Sequence, residues 1–200
     1  MALAAVYSLA QAQTTLSLAQ IQQQWAHCQY QQSSKKARES CFEKLVADNN
    51  DALKAHPKDE QLRVWLGINL SSQAGAKGGL GALSLVKEAK VNFEQVIKNA
   101  PNTLDGSAYT SLGALYYQVP GWPIGFGSDK KAKAMLKKGL AINPNGLDSN
   151  YFYADFLCDQ GDKKAAKQYF EKALAAPKRP NRPLADEGRR KEILAKLKEL

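Results

Sequence analysis

Three cysteines and two histidines are the side chains of this chain best suited to metal binding or nucleophilic catalysis, and their spacing argues against both roles. Cys28, Cys41 and Cys158 match no zinc-binding pattern, and two histidines leave little for a histidine-based site. Cys28 and Cys41 are almost equidistant from Ser33-Ser34, so a helical hairpin turning there would bring them together in a disulfide. The alternative is two buried thiols packed as small apolar groups. Cys158 has no histidine near it in the sequence, which favours a packed thiol over a nucleophile.

Two glycine-rich segments have compositions found in ligand-binding loops. Residues 76–81 combine glycine with a lysine but lack the Gly-Lys-Ser/Thr ending of a phosphate-binding loop, and no strand precedes them. We therefore expect a flexible turn there. In the segment 121–127, Trp122 and Phe126 lie on a loop stiffened by Pro120 and Pro123. These rings either fold back over the protein or serve as anchors for a ligand or peptide, and the two roles are compatible.

Acidic side chains offer no evident catalytic group. Asp148, Asp155 and Asp159 share one face of a predicted helix, but such faces commonly carry acids. General acid–base catalysis needs titratable groups that converge, and no such set stands out. We therefore expect a protein that is not an enzyme and that holds neither a metal ion nor another cofactor.

The length and composition describe a folded chain with an uneven distribution of charge. With 200 residues, of which 44% are hydrophobic and 24% charged, one domain or a short repeat array is expected. No apolar run is long enough to predict a membrane span. The net charge is +9, and most of it lies in the last fifth of the chain. The basic segment 178–191 lacks the interleaved aromatic residues that stack on bases, so no nucleic-acid partner is expected. A solvated basic face is favoured, or pairing of Arg179 and Arg182 with Asp155, Asp159 or Asp186.

Residues 1–12 have the character of a signal-peptide remnant. A short apolar stretch ends in Ala10-Gln11-Ala12, which has the form of a signal-peptidase site with cleavage before Gln13. A basic leading segment is missing, because the first lysine is Lys35. The alternative is the start of an alanine-rich helix. Export would place the protein in the periplasm or outside the cell, where disulfides persist.

Small and large apolar residues recur with the spacing of paired helices. In the last segment, Ala154 is followed by Phe170, Ala173 and Pro177. Small residues suit the point where two helices cross closely, and a proline cannot continue the second helix. Two earlier segments share the pattern: Leu66-Gly67 with Ala89, Phe93 and Pro101, and Leu112-Gly113 with Ala132, Leu136 and Pro144.

This pattern resembles the tetratricopeptide repeat (TPR), a helical pair that recurs with a period of about 34 residues. The resemblance covers residues 60–177 and implies an all-α fold, an α-solenoid of antiparallel helical pairs. The first two repeats are longer than the third, and residues 73–81 and 118–128 have loop compositions, so we predict enlarged turns within those pairs.

The whole chain then divides into about nine helices with no sheet. An N-terminal hairpin is expected at 13–58, with helices over 16–30 and 37–55. Three TPR-like repeats follow at 59–101, 105–145 and 147–178. A capping helix is expected within 179–200, where Ile193, Leu194, Leu197 and Leu200 share one apolar stripe and a polar back would close the open end of the array.

The resemblance also implies which residues line the concave face, because the first helix of each TPR pair faces the groove. These are Gln61, Val64, Ile68 and Ser71 in the first repeat, Ser107, Thr110, Ala114 and Tyr117 in the second, and Asp148, Tyr151, Asp155 and Asp159 in the third. The Lys, Arg and Asn pattern with which known TPR clamps hold a terminal carboxylate is absent at these positions. The acids and Tyr151 favour a basic or polar partner segment. The alternative is that Tyr151 and Asp155 belong to an internal network that packs the final helix.

A non-enzymatic, exported scaffold is the function that these features favour. It would bind a protein or peptide through Tyr117, Asp148, Tyr151, Asp155 and Asp159, the loop residues Trp122 and Phe126, and the basic Arg179 and Arg182. The alternative is a periplasmic small-ligand-binding accessory of a solute transporter, similar to the T-components of TRAP-type transporters. An oligomer is compatible with the sequence.

Overall fold

The computed structural model describes residues 15–200, which form nine α-helices and no strand. The predicted signal remnant at 1–12 lies outside the described residues. The helices are α1 (Leu18–Tyr30), α2 (Lys35–Ala55), α3 (Glu60–Lys77), α4 (Ala82–Asn99), α5 (Ser107–Gln118), α6 (Asp129–Ile142), α7 (Leu147–Asp159), α8 (Lys163–Leu174) and α9 (Pro183–Lys198). The predicted all-α solenoid of helical pairs is confirmed.

Eight of the helices form four pairs of sequence neighbours, and small residues allow close crossings in the pairs α3–α4 and α5–α6. A methyl group added at Gly67 of α3 would lie 2.5 Å from the ring of Phe93 on α4. A methyl group at Gly113 of α5 would lie 2.6 Å from Leu136 on α6. Both partners are almost completely buried. The repeat pattern in the sequence therefore marks the contact points between paired helices.

Side-chain oxygens cap the N-termini of several of these helices. Ser17 and Gln20 form a reciprocal capping box at the start of α1, and Ser34, Ser128 and Asp162 accept bonds from backbone N–H groups of α2, α6 and α8. Such caps satisfy backbone donors that the first turn leaves unpaired.

The predicted disulfide of the N-terminal hairpin is confirmed. Cys28 on α1 and Cys41 on α2 are bonded, with their Cα atoms 5.5 Å apart. Further along α2, the buried Asn49 side chain donates to the carbonyl of Leu62 and accepts from Asn69, so polar contacts join α2 to α3. The hairpin is thereby fixed to the first repeat.

One predicted turn is much shorter than its composition indicates. Residues 73–77 continue α3, and only residues 78–81 separate α3 from α4. Gln73, Ala74 and Ala76 are buried, so their packing favours helix over a loop. Gly78, with φ of 71°, ends α3 in a conformation that glycine tolerates. The extra length of the first repeat therefore extends its two helices, whereas the second repeat has the long loop predicted, over residues 119–128.

The last helix differs most from its prediction. Ile193 is buried, but Leu194 and Leu200 of the predicted stripe are exposed, at 50% and 36%. The buried face of α9 instead includes Ala185, Gly188 and Arg189. This helix contacts α7 and α8 and also α1 at the other end of the chain. At that contact a methyl group on Gly188 would lie 2.5 Å from the ring of Tyr30. The first and last helices therefore meet.

Candidate functional site

A cavity of about 780 Å³ lies between the first helices of the repeats, the N-terminal hairpin and the C-terminal segment. Its wall is mixed: indole rings and aliphatic groups alternate with hydroxyls, amides and arginines. The residues from the repeats include Trp65, Ile68, Ser71, Ser72, Ser107, Thr110, Ser111, Ala114, Gln118, Asp148, Tyr151 and Phe152. The C-terminal segment contributes Pro177, Arg179, Arg182, Arg189 and Glu192.

Two tryptophans form one wall of the cavity. The rings of Trp25 from α1 and Trp65 from α3 meet edge to face with their centroids 6.0 Å apart. Trp25 donates its indole N–H to the Ser72 hydroxyl over 2.9 Å. The indole Nε1 of Trp65 is buried and has no hydrogen-bond partner among the described residues. A donor of this kind is costly to bury unpaired.

Asp148 is the acid around which the arginines of the cavity gather. Its carboxylate accepts from Arg179 over 2.7 Å and from Arg189 over 3.0 Å. Arg179 also pairs with Asp186 of α9 over 2.6 Å. Burial alone would raise the pKa of Asp148, but Arg189 and Arg179 outweigh it and hold that pKa well below its usual value. The predicted pairing of Arg179 with Asp186 is thus present, together with a contact to Asp148.

Arg189 is stacked on aromatic rings as well as paired with acids. Its guanidinium lies 4.0 Å from the ring centroid of Tyr151 and 4.9 Å from that of Phe152. It also pairs with Glu192 over 2.5 Å. Because Arg189 belongs to α9 and Tyr151 to α7, this stacking joins the final helix to the third repeat. Tyr151, which the sequence predicts to face a partner, therefore packs against the final helix.

Arg182 stands apart from the other two arginines of this cluster. Its guanidinium carbon lies 4.9 Å from the centroid of the Trp65 ring and 6.0 Å from that of Trp25. No ion pair or hydrogen bond joins its side chain to another described residue, and its Nε atom is buried without a partner. Burial and the nearby charge of Arg179 lower the pKa of Arg182 to about 10, so it remains charged at neutral pH. The expected pairing with Asp155, Asp159 or Asp186 is not formed.

Tyr117 and Asp155 join three helices beside the cavity. Tyr117 of α5 donates its hydroxyl to Asp155 of α7 over 2.7 Å, and Lys196 of α9 pairs with the same carboxylate over 2.9 Å. Burial and the charge of Asp155 raise the pKa of Tyr117. Asp155 therefore acts in the internal network that was the alternative to partner binding. Asp159 is exposed and accepts from its neighbour Gln160.

The loop 119–128 separates its two aromatic residues. Phe126 folds back on Tyr116 of α5, with the two ring centroids 5.8 Å apart. Trp122 is 90% exposed at the tip. Short hydrogen bonds hold the base of the loop, from Gly127 N–H to the Pro120 carbonyl and from Ser128 N–H to the Tyr116 carbonyl. Of the two roles predicted for this loop, Phe126 shows the packing role, and Trp122 does not pack against the described residues to the same extent.

Cys158 lies beside Asp155 on α7 and is half-buried. Burial and the negative charge of Asp155 raise the pKa of its thiol, which keeps it protonated at neutral pH. The thiol is therefore a poor nucleophile.

The register of the concave face differs from the sequence expectation in part. Ile68, Ser71, Ser107, Thr110, Ala114, Asp148 and Tyr151 line the cavity as expected. Val64 is completely buried and Gln61 is exposed, and neither lines the cavity. Tyr117, Asp155 and Asp159 were also expected on this face and do not line the cavity. Sequence reasoning missed Trp65 and Ser72, although both share the helical face of Ile68, and it missed Arg189. Extending the α3 face from Ile68 by three residues backward and four forward would have found the first two.

Two structural properties limit the chemistry of the described residues. No three side chains of His, Cys, Asp or Glu in residues 15–200 are placed to hold one metal ion. No described helix is both long and apolar enough to cross a membrane.

Comparison with known proteins identifies the type of fold. Neither a protein-family profile nor a curated protein matches the chain. A thermophilic TPR protein of Thermus thermophilus, known from its crystal structure, is similar with a TM-score of 0.54 and 20% sequence identity. The match covers 90% of this chain and 82% of that chain. The protein therefore has a TPR-like helical-repeat fold.

Proposed function

We propose that this protein is a non-enzymatic binding scaffold that takes a short segment of another protein, or a peptide, into the cavity on its concave side. The observation that carries the proposal is the cavity itself, which is lined by the inner helices of the repeats and by the C-terminal segment. TPR-like folds present a concave surface of this kind for recognition. A fold supplies a surface, so the side chains of the site must carry the argument for function.

The position of α9 limits how much chain can enter. Arg189 covers Tyr151, and Lys196 holds Asp155, so α9 already occupies inner side chains of α7. A long peptide cannot run along all three repeats without displacing this helix. A few residues at a chain end or in a tight loop fit the remaining space.

The cavity wall suits such a segment chemically. Thr110, Ser111 and Gln118 of α5 offer donors and acceptors for the backbone of an extended peptide. Trp65 and Ile68 of α3 offer apolar surface for one of its side chains. Binding sites commonly combine an apolar lining with a few polar groups that fix orientation.

Trp122 is a second contact point in this proposal. An exposed tryptophan on a loop with a fixed base supplies a large apolar group at low entropic cost. Ile124 on the same loop is also exposed. A partner that enters the cavity with one segment would cover this loop with another part of its surface.

Export is part of the proposal. The disulfide between Cys28 and Cys41 supports an oxidising compartment, and the apolar segment 1–12 has the form of a signal remnant. We therefore place the working protein in the periplasm or outside the cell.

A small organic ligand is the second candidate, favoured by the size of the cavity. A volume of about 780 Å³ lies within the range of small-molecule sites. In that case the protein would serve as a periplasmic ligand-binding accessory of a solute transporter.

Photo-crosslinking from inside the cavity tests the proposal. A benzoylphenylalanine placed at Ser111, which lines the cavity, is expected to give one discrete protein adduct in intact cells of the source organism. The same group at Lys137, an exposed residue of α6, serves as the matched control and should give none.

A blocking variant separates the two candidates. Gly75→Trp places a large side chain of α3 in the cavity. If a protein partner binds there, its adduct with the crosslinker at Ser111 should no longer form. Adducts of small mass only would favour the organic ligand. Equal labelling from Ser111 and Lys137, unaffected by the block, would contradict both candidates.

A further inference from the structure

Arg182 is a cation of the cavity wall whose charge no carboxylate among the described residues neutralises directly. Arg179 and Arg189 each contact two carboxylates, whereas Arg182 contacts none within ion-pair distance. Its neighbours are the faces of Trp65 and Trp25. Arg182 thus combines partial burial, contacts with two aromatic rings and the absence of a carboxylate partner among the described residues.

Stability alone does not account for an arginine here. Even partial burial of a charged group without a carboxylate partner is costly, and stacking on indole rings offsets only part of that cost. An apolar side chain of similar length would pack against the two rings without desolvating a charge. Groups that are costly to the free protein are commonly used for binding.

A neutral donor lies on the same wall. The Ser72 hydroxyl accepts from Trp25 while its own hydrogen stays available, whereas the indole N–H of Trp65, which has no partner, is buried below the cavity surface. Arg182, Trp65 and Ser72 all line the cavity. A wall with a fork-shaped cation beside a hydroxyl donor favours a planar anion that accepts two parallel hydrogen bonds.

We infer that the cavity binds a ligand through a carboxylate group, which pairs with Arg182 while the adjoining apolar part of the ligand packs on Trp65 and Trp25. This inference rests on the proposed function, because it assigns the chemistry of the group that enters the cavity. The cation comes from the segment after the third repeat. A search of the repeat helices for a clamp therefore does not find it.

The surrounding acids favour a carboxylate over a phosphate. Asp148 and Glu192 also line the cavity, and Asp186 lies behind Arg179. These charges repel a dianion more strongly than a monoanion.

A pair of probes that differ only in charge tests the inference. Benzoate and benzamide have the same ring, and only benzoate carries a carboxylate. Both are titrated into the full chain while the indole N–H signals are followed by NMR. Benzoate should shift the Trp65 signal saturably and bind roughly tenfold or more tightly than benzamide. The signal of exposed Trp122 should stay in place and serves as an internal control.

Variants connect the binding to Arg182. Arg182→Met should weaken benzoate binding roughly tenfold or more without lowering the melting temperature, because it removes a half-buried charge that has no carboxylate partner and keeps an apolar side chain against the two rings. Arg182→Lys keeps the charge but loses the fork, and should give an intermediate affinity. Lys191→Met makes the same change in charge on the exposed side of α9 and should bind benzoate normally.

Two dipeptides distinguish the source of the carboxylate. Acetyl-alanyl-phenylalanine with a free carboxylate represents a protein C-terminus, and its amidated form is the neutral control. Preference for the acid form over both its amide and benzoate favours a chain end as the ligand. Preference for benzoate favours a free organic acid.

The outcomes separate failure of the inference from failure of the proposed function. Equal binding of acid and amide forms in the cavity overturns the role of Arg182 and leaves the cavity as a binding site. Saturable binding of inorganic phosphate in preference to benzoate also overturns the inference. If no acid shifts the Trp65 signal at concentrations up to about 10 mM, on the order of the weakest affinities of interest, the inferred carboxylate site is wrong. Crosslinking from Ser111 then tests the proposed function independently of this inference.

Discussion

At the scale of single residues, Asp148 decides whether the arginines of the cavity are held in place. It is the shared acceptor of Arg179 and Arg189, and its side chain is 32% exposed. A carboxylate between two guanidiniums stabilises the fold chiefly because its removal leaves both cations facing each other. The effect of a substitution here should therefore exceed that of an exposed ion pair.

Asp148→Asn should lower the free energy of unfolding by about 2 kcal/mol at pH 7, less than for a fully buried pair because water reaches the carboxylate. Urea denaturation followed by circular dichroism measures the difference. Asp159→Asn, on the same helix but exposed, is the control and should change the free energy little. An equal effect of the two substitutions would contradict the shared-acceptor role.

The same residue makes stability depend on pH in a defined direction. The pKa of Asp148 is lower in the folded protein than in the unfolded chain. Its contribution is therefore complete above the unfolded pKa, about 3.9, and is lost as the pH falls below that value. The difference in unfolding free energy between wild type and Asp148→Asn should shrink between pH 5 and about pH 2. A difference that grows on acidification would show that the sign is wrong.

At the scale of helices, two glycines of α3 have opposite roles. A methyl group at Gly67 would meet the ring of Phe93, which is completely buried, whereas a methyl group at Gly75 meets nothing within 4 Å. One glycine permits a close helix crossing, and the other only weakens the helix.

Gly67→Ala should therefore lower the free energy of unfolding by about 2 kcal/mol, through overpacking. Gly75→Ala in the same helix should raise it by about 0.5–1 kcal/mol, through helix propensity. Thermal denaturation of the two variants beside wild type measures both changes. If Gly67→Ala is as stable as Gly75→Ala, the crossing of α3 and α4 is not limited by the missing side chain.

The hairpin of α1 and α2 depends on its disulfide. Replacing Cys28 and Cys41 with serine should lower the free energy of unfolding by about 3 kcal/mol, because the 13-residue separation no longer restrains the unfolded chain. Urea denaturation with and without a phosphine reductant measures it. The reductant should have no effect on the double variant. The reductant should lower the free energy of unfolding of Cys158→Ser as much as it lowers that of wild type.

The sequence predicted these elements to the extent that their signals are local. Small residues at fixed spacing placed the helix crossings, and two cysteines about a turn placed the disulfide. The turn at 73–81 was predicted too long because four glycines give this segment a loop composition, whereas the buried Ala74 and Ala76 favour helix. Contacts between residues far apart in sequence leave no local signal. The stacking of Arg182 on Trp65 and the meeting of α9 with α1 are of this kind.

At the scale of the whole molecule, the contact between α1 and α9 joins the two ends of the array. Gly188 of α9 lies against the Tyr30 ring so closely that an added methyl group would be 2.5 Å from it. Arg182 extends the same contact to Trp25 of α1. The cavity therefore has a wall that no single repeat supplies.

Gly188→Ala should separate α9 from α1 and lower the free energy of unfolding by about 1–3 kcal/mol. Hydrogen exchange should accelerate in α1 and α9 and not in α4 or α6, which lie away from the contact. Most of that cost should disappear when Tyr30→Ala provides space, as a double-mutant cycle can measure. Equal acceleration of hydrogen exchange in all helices would contradict a local effect at the contact between α1 and α9.

Closure also restricts how this protein can change its length in evolution or by engineering. An open repeat array tolerates duplication of a unit, since each new unit meets only its neighbours. Here a fourth repeat inserted between the second and third would move α9 away from α1 and expose Tyr30 and Trp25. It would also separate the Arg182 guanidinium from the indole ring of Trp25. The number of repeats is therefore set by the geometry that lets α1 and α9 touch. Homologues that retain that contact should share this repeat number, whereas their long 119–128 loop is free to vary in length.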